Sequence, residues 1–192
     1  MQGGAHMAKV IAQTFLTIDG VMESPDKWQL QNGLFDDKMG EPIGNAFQSA
    51  GALLLGRVTY QEFAAHWPNQ KDDPFADLLN NMPKYVVSNS LKSADWKNSR
   101  IVKGDGAAEV NKLKREVDKD MLIVGSAKLV SSLTNAGVID EYQLFLHPVV
   151  VAKGKRLFKD GIDPTLLSLE SSQSFGTGVV ELRYRYKGKA KA

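Results

Sequence analysis

The spacing of apolar and polar positions divides this chain into strands and helices before any motif is considered. Lys9 to Thr17, rich in Val, Ile, Phe and Thr, reads as a strand stopped by the Asp19-Gly20 turn pair. The polar segment that follows, with Pro25 and Asn32-Gly33, reads as a long loop. Phe35, Met39, Ile43, Ala46 and Phe47 then recur at helical spacing between Phe35 and Ala50, against the weakening effect of Gly40, Pro42 and Gly44. Ala52-Leu53-Leu54-Leu55, wholly apolar between Gly51 and Gly56, has the pattern of a strand covered on both sheet faces, and a helix is expected after it from Thr59 as N-cap. Tyr85-Val86-Val87 and Met121-Leu122-Ile123-Val124 repeat that pattern, each running into a small or polar turn.

Between these last two strands, Ala107, Val110, Leu113 and Val117 mark the apolar face of an amphipathic helix over Asp105 to Val117. Ser126 can cap a further helix that buries Leu129, Val130 and Leu133 and ends at Gly137. Strands alternating with helices imply right-handed crossovers and a largely parallel sheet. The last third departs from that alternation. Glu141 to Val151, Leu166 to Phe175 and Val179 to Tyr186 are strand candidates, the last two joined by a Gly176-Thr177-Gly178 hairpin. The expected fold is α/β, with a mixed, mostly parallel central sheet and an antiparallel C-terminal edge. The stretch from Tyr142 to Val151 is more apolar than an exposed sheet edge tolerates, which predicts a homodimer packed there.

Length and composition narrow this picture. The 192 residues suit one domain, assigned to 7–187, and 43% hydrophobic with 24% charged residues is ordinary globular usage. Residues 1–6 read as an expression remnant ahead of Met7, and 188–192 as a basic tail. The absence of cysteine excludes disulfides, thiolate metal sites and cysteine nucleophiles. No apolar run approaches the roughly 20 residues that span a bilayer, so a cytoplasmic protein without membrane partners is expected. The net charge of +2, concentrated at Lys187, Lys189 and Lys191, offers no basic face for nucleic acid.

Chemistry concentrates at the turns after the parallel strands, where open α/β sheets bind ligands. Gly104-Asp105-Gly106-Ala107-Ala108-Glu109 is not a dinucleotide fingerprint, because its carboxylates would meet the pyrophosphate, and it reads as a turn and helix cap. Gly56-Arg57-Val58-Thr59-Tyr60 delivers an Arg and a Thr to a helix N-terminus, a place that favours anions. Thr59 as a plain cap with Arg57 solvated is an equal alternative. Gly125-Ser126-Ala127-Lys128-Leu129 opens a second helix where backbone can approach a pyrophosphate, and Ser88-Asn89-Ser90 adds hydroxyl and amide groups from the strand between.

These turns, together with Thr17-Ile18-Asp19-Gly20, Gly137-Val138-Ile139-Asp140-Glu141-Tyr142 and His147-Pro148-Val149-Val150, resemble in their order the C-terminal reductase domain of bacterial riboflavin biosynthesis. That domain belongs to the dihydrofolate-reductase-like superfamily, and the resemblance runs from Lys9 to Tyr186. It implies a three-layer αβα sandwich and NADPH as cofactor. It places Arg57 and Thr59, in the turn opened by Gly56, on the cofactor phosphates, and Ser88 and Asn89 by the adenosine ribose or its 2′-phosphate. Gly125, Ser126 and Ala127, in the turn that continues to Leu129, take the pyrophosphate. Asp19, Gly20 and the following loop, including Trp28, would line the nicotinamide and substrate side. The chain departs from riboflavin-pathway enzymes at Gly125-Ser126, where these often carry Gly-Gly, and it has no deaminase domain, so it resembles a stand-alone member.

In dihydrofolate reductase a carboxylate from the first helix faces the pterin, and Asp36 or Asp37 stands at a similar distance before the Gly56-Arg57 strand end. Asp36 and Asp19 are therefore the catalytic candidates, set against ordinary duties as a solvated helix-start acid and a turn residue. His66 at a helix end and His147 before Pro148 form no metal motif. The resemblance implies an NADPH-dependent reductase of a small heterocycle, with 5-amino-6-(5-phosphoribosylamino)uracil reductase the nearest named activity. Reduction of a pterin, or dinucleotide sensing without turnover, are the alternatives.

Overall fold

A computed structural model describes residues 7–158 and 161–191, so the expected N-terminal remnant lies outside the described residues. Strands β1 (Val10–Thr17), β2 (Ala52–Gly56), β3 (Lys84–Val87), β4 (Ser99–Val102), β5 (Met121–Ile123), β6 (Glu141–His147), β7 (Thr165–Ser174) and β8 (Val180–Lys189) form one eight-stranded sheet in the order β4-β3-β2-β5-β1-β6-β8-β7. All neighbours from β4 to β6 pair in parallel, whereas β8 runs antiparallel to both β6 and β7. This is the mixed sheet with an antiparallel C-terminal edge that the patterning predicts.

The helices are α1 (Pro25–Trp28), α2 (Asp37–Ser49), α3 (Arg57–His66), α4 (Pro74–Asn81), α5 (Gly106–Glu116) and α6 (Ala127–Asn135). Alternate strand residues feed two cores. Val10, Ala12, Leu54 and Ile123 meet Val110 and Leu113 of α5 and Leu129 and Leu133 of α6 on one face. Leu53, Leu55, Leu122 and Phe145 meet Met39 and Phe47 of α2 and Leu79 of α4 on the other. A period of two along each strand thus produces the three layers.

Several expectations change. The helix after β2 begins at Arg57 with Gly56 as N-cap, so Thr59 lies inside the first turn instead of capping it. The stretch read as a loop after β1 contains α1 and a short 3₁₀ turn, Leu30–Asn32. The patterning does not predict strand β4, which is four residues long, only partly buried, and becomes a strand by pairing with β3 at the sheet edge. Pro42 sits within α2, tolerated because that helix buries Met39, Ile43 and Phe47. Gly188 and Lys189 belong to β8, with Lys189 paired to Thr165, so the chain stays in the sheet past the start of the expected tail.

The basis for a homodimer on Tyr142 to Val151 also falls. β6 is an inner strand between β1 and β8, and the burial of Tyr142 and Phe145 in the two cores accounts for its apolarity. The edge strand on this side of the sheet is β7, whose Leu166 and Leu169 are each 54% exposed.

At the far side of the sheet, Lys84 on β3 is fully buried. Its ammonium donates to the carbonyls of Leu79, Asn80 and Met82 at 2.7, 3.2 and 2.8 Å, ending α4 where the helix dipole is negative. It also lies 4.0 Å from the centre of the Trp96 ring.

Candidate functional site

The sheet order sets the turns after β3, β2 and β5 side by side along the carboxyl edge, with the end of β1 next in line. Neighbouring strands are about 4.8 Å apart, so this row spans on the order of 15 Å, a length suited to an extended dinucleotide. The turns after β2 and β5 interlock. A Cβ on Gly56 would stand 2.5 Å from Ser126 Oγ, one on Gly125 would stand 2.7 Å from Thr59 Oγ1, and Gly56 N–H donates to Gly125 O at 3.3 Å.

Their helices differ from α2, α4 and α5. α2, α4 and α5 are closed at the N-terminus by Asp36, Asp73 and Asp105, whose carboxylates accept first-turn N–H groups. The Asp105 cap agrees with the reading of that glycine-rich segment as a turn and helix cap. α3 and α6 start at Gly56 and Ser126 with no side-chain cap. Two adjacent helix N-termini therefore keep donors and a positive dipole end for an anion.

Beside them opens a cavity of about 840 Å³, lined by Thr59 from α3, by Gly125, Ser126 and Ala127 from the α6 turn, and by Thr14 and Phe15 of β1. Its far wall is apolar, with Phe35, Ile43, Phe47, Phe63, Trp67 and Phe75. Glu23, Asp26, Glu62, His66 and Lys155 carry the ionisable groups. Lys155 is ion-paired with Glu23, and their hydrogen bond lowers the pKa of the carboxyl and raises that of the amine.

The remaining candidates have other surroundings. Arg57 is exposed beside the α3 N-terminus, its guanidinium donating to Gln61 Oε1 at 2.9 Å. Ser88 Oγ accepts from Ser90 N and Leu91 N, while Asn89 grips Gly104 through both its N–H and its carbonyl. Both side chains brace the row's end, next to the turn that carries Arg57. Leu129 packs in the core beneath the α6 turn.

Neither catalytic candidate lines the cavity. Asp36 caps α2, accepting from Met39 N at 2.8 Å, and Asp37 is exposed in its first turn. The Asp19 carboxylate accepts from Thr17 Oγ1 at 2.6 Å and from the N–H groups of Val151 and Ala152, and meets Arg156. The Thr17 hydroxyl chiefly holds its pKa low, and the group ties the β1 turn to the segment after β6. Gly20, with φ of 81°, forms that turn, and Trp28 is packed inside the loop, donating to Glu23 O at 2.8 Å.

Trp28 rests edge-on against His147, which is wholly buried. One ring nitrogen, Nδ1, lies 2.9 Å from Phe145 O and therefore donates, leaving Nε2 to accept from Gln29 Nε2 at 3.0 Å. Burial pushes the imidazole pKa down, so the neutral ring pins the loop behind the cavity. Among the described residues no grouping of His, Asp and Glu could hold a metal ion, and no helix is long and apolar enough to cross a membrane.

The RibD C-terminal domain profile matches residues 8–181. The chain belongs to this family. YyaP of Bacillus subtilis (strain 168), an uncharacterized protein, is 29% identical over 194 residues, covering 98% of this chain and 100% of its own. Among solved structures, a putative riboflavin biosynthesis protein from Shewanella sp. PV-4 superposes with a TM-score of 0.71 at 17% identity, covering 93% of this chain and 99% of that one. Dihydrofolate reductase from Enterococcus faecalis, complexed with NADP(H), superposes with a TM-score of 0.57 at 12% identity, covering 94% of this chain and 98% of that one. The fold is dihydrofolate-reductase-like.

Sequence reasoning missed most of the cavity wall. Phe63 and Phe75 carry no signal that sets them apart in the sequence, yet Glu62 and His66 stand one helical turn apart, a spacing that marks a shared face of α3.

Proposed function

We propose that the protein is an NADPH-dependent reductase of a small heterocyclic substrate. The observation that carries this reading is the pair of uncapped helix N-termini, α3 and α6, beside a largely apolar cavity in a member of the RibD C-terminal domain family. The close fit of Gly56 to Ser126 and of Gly125 to Thr59 leaves bare backbone where a pyrophosphate needs it. Arg57, at the mouth of the same turn, would supply a guanidinium for the 2′-phosphate.

A bound dihydronicotinamide supplies a hydride, so that an acceptor double bond gains that hydride and one proton while the dinucleotide is oxidised. The α6 turn and Thr59 would fix the cofactor against β1, and the aromatic wall would hold the ring and exclude water. His66, exposed at the rim, offers an imidazole for proton transfer to a bound ring. The family resemblance makes 5-amino-6-(5-phosphoribosylamino)uracil reduction the nearest named reaction. A pterin reductase of the familiar kind needs a carboxylate from the first long helix, whereas α2 presents Gly40, Ile43, Gly44 and Phe47 to the cavity.

Titration with NADPH and NADH, followed by nicotinamide fluorescence, tests the reading. NADPH is expected to bind in the micromolar range or tighter, and Arg57→Ala to lose most of the preference over NADH. Binding of neither dinucleotide overturns the proposal, and binding without turnover over a substrate panel favours a sensor.

A further inference from the structure

We infer that the half of the cavity facing α2 takes a flat, unphosphorylated aromatic heterocycle, neutral or cationic, and discriminates against phosphate esters. This rests on the reductase reading for the other half and departs from its nearest named reaction, whose phosphoribosylamino substrate carries the phosphate ester that this half disfavours.

The first ground is shape. Gly40 and Gly44, one turn apart on α2, both line the cavity. Neither has the positive φ that calls for glycine, and glycine within a helix is destabilising relative to alanine. A Cβ on Gly44 would meet nothing within 4 Å, and one on Gly40 would touch only the Phe35 ring at 3.7 Å. The helix backbone is thus laid bare towards open space, forming one side of a slot.

The rest of the lining is aromatic, with Phe47 from α2 itself and Phe75 from α4. Phe47 and Phe75 pack edge-to-face at 5.0 Å, and Trp67 and Phe75 at 5.4 Å. Such an array, with Phe15 and Phe63, offers ring faces and edges to a planar ligand. A planar ring lying on the glycine face would bury its apolar surface on both sides.

Charge is the second, independent ground. Among the described lining residues the carboxylates are Glu23, Asp26 and Glu62, and the only Lys or Arg is Lys155. That ammonium is already paired with Glu23, and Glu62 adds to the negative field around it. Phosphoryl groups are held by free Arg or Lys or by helix N-termini. Both N-termini at this cavity serve the dinucleotide in the reductase reading. A phosphate on the substrate would instead face a net negative rim.

Riboflavin and flavin mononucleotide share one ring system and differ by a phosphate, so they test the slot directly. Each is titrated into the protein with and without saturating NADP⁺, reading flavin fluorescence anisotropy. Riboflavin is expected to bind, with flavin mononucleotide about ten-fold weaker or more. Gly44→Leu should cut riboflavin affinity by at least about ten-fold while NADPH affinity stays within about two-fold, because the added side chain fills the slot and suits a helix. Glu62→Lys should narrow the gap between the two flavins.

Equal or tighter binding of flavin mononucleotide overturns the inference, as does failure of both flavins to bind or an unchanged riboflavin affinity in Gly44→Leu. If NADPH fails to bind while riboflavin is preferred, the reductase reading falls and the slot stands. If NADPH binds and the flavins are not discriminated, the reverse holds.

Discussion

Thr59 and Gly125 meet across two different strand-end turns with no room for one more carbon: a Cβ on Gly125 would lie 2.7 Å from Thr59 Oγ1 and 3.3 Å from its Cγ2. Gly125→Ala should therefore push the α3 and α6 turns apart, costing about 1–3 kcal/mol of stability and weakening dinucleotide binding. Thr59→Ala removes the obstructing atoms, so the double variant should regain part of the lost stability. Chemical denaturation of the four proteins in this cycle measures the coupling; strictly additive effects would show that the turns are not in contact.

Lys84 is a buried cation with three carbonyl acceptors and the Trp96 ring as neighbours. Lys84→Met strands the last carbonyls of α4 and is expected to cost roughly 2–4 kcal/mol. Burial, reinforced by Lys97, lowers the Lys84 pKa to about 8, against 10.5 for an ordinary lysine. Between these values the unfolded chain binds a proton that the folded chain has released, so this group raises stability with pH, by up to about 3 kcal/mol. Denaturation midpoints from pH 7 to 10.5 should show the rise in the parent and lose it in Lys84→Met.

His147 acts in the other half of the pH range. Its pKa is lowered, chiefly by burial, so below 6.5 the unfolded chain takes up protons before the folded one does. Its contribution is complete above the ordinary value of 6.5 and is lost as the pH falls towards the depressed one. Stability measured from pH 7 to 5 should decline, and His147→Gln should flatten the decline. The same protonation adds a donor facing Gln29 Nε2, so the loop around Trp28 should show faster amide exchange at low pH.

Asp19 is a structural clamp. Its four partners lie on the β1 turn and on the segment from Val151 to Arg156. Asp19→Ala is expected to lower the melting temperature and to speed proteolytic cleavage near residue 152, leaving NADPH affinity unchanged. A large loss of dinucleotide binding in a variant that melts normally would return Asp19 to the site.

Most of the sheet was legible in the sequence because burial on both faces leaves an unmistakable mark: Ala52 to Leu55 and Met121 to Val124 are apolar without interruption. The glycine turns after β2 and β5 were legible for a related reason, since glycine directly after such a strand exposes backbone at a helix start. Local pattern by itself thus determined the α/β class, the C-terminal hairpin and the end of the sheet where the cavity opens. It did not determine strand neighbours, and so misread β6 as an edge and overlooked β4, because pairing joins residues far apart in the chain. Only the tertiary structure decided which side chains face the cavity. Asp36 and Asp19 looked catalytic in one dimension and proved to be a cap and a clamp, while Glu62, His66 and the glycines of α2 came to the cavity through packing. A concave site is assembled from elements whose mutual placement the two cores fix, and no local periodicity records that placement.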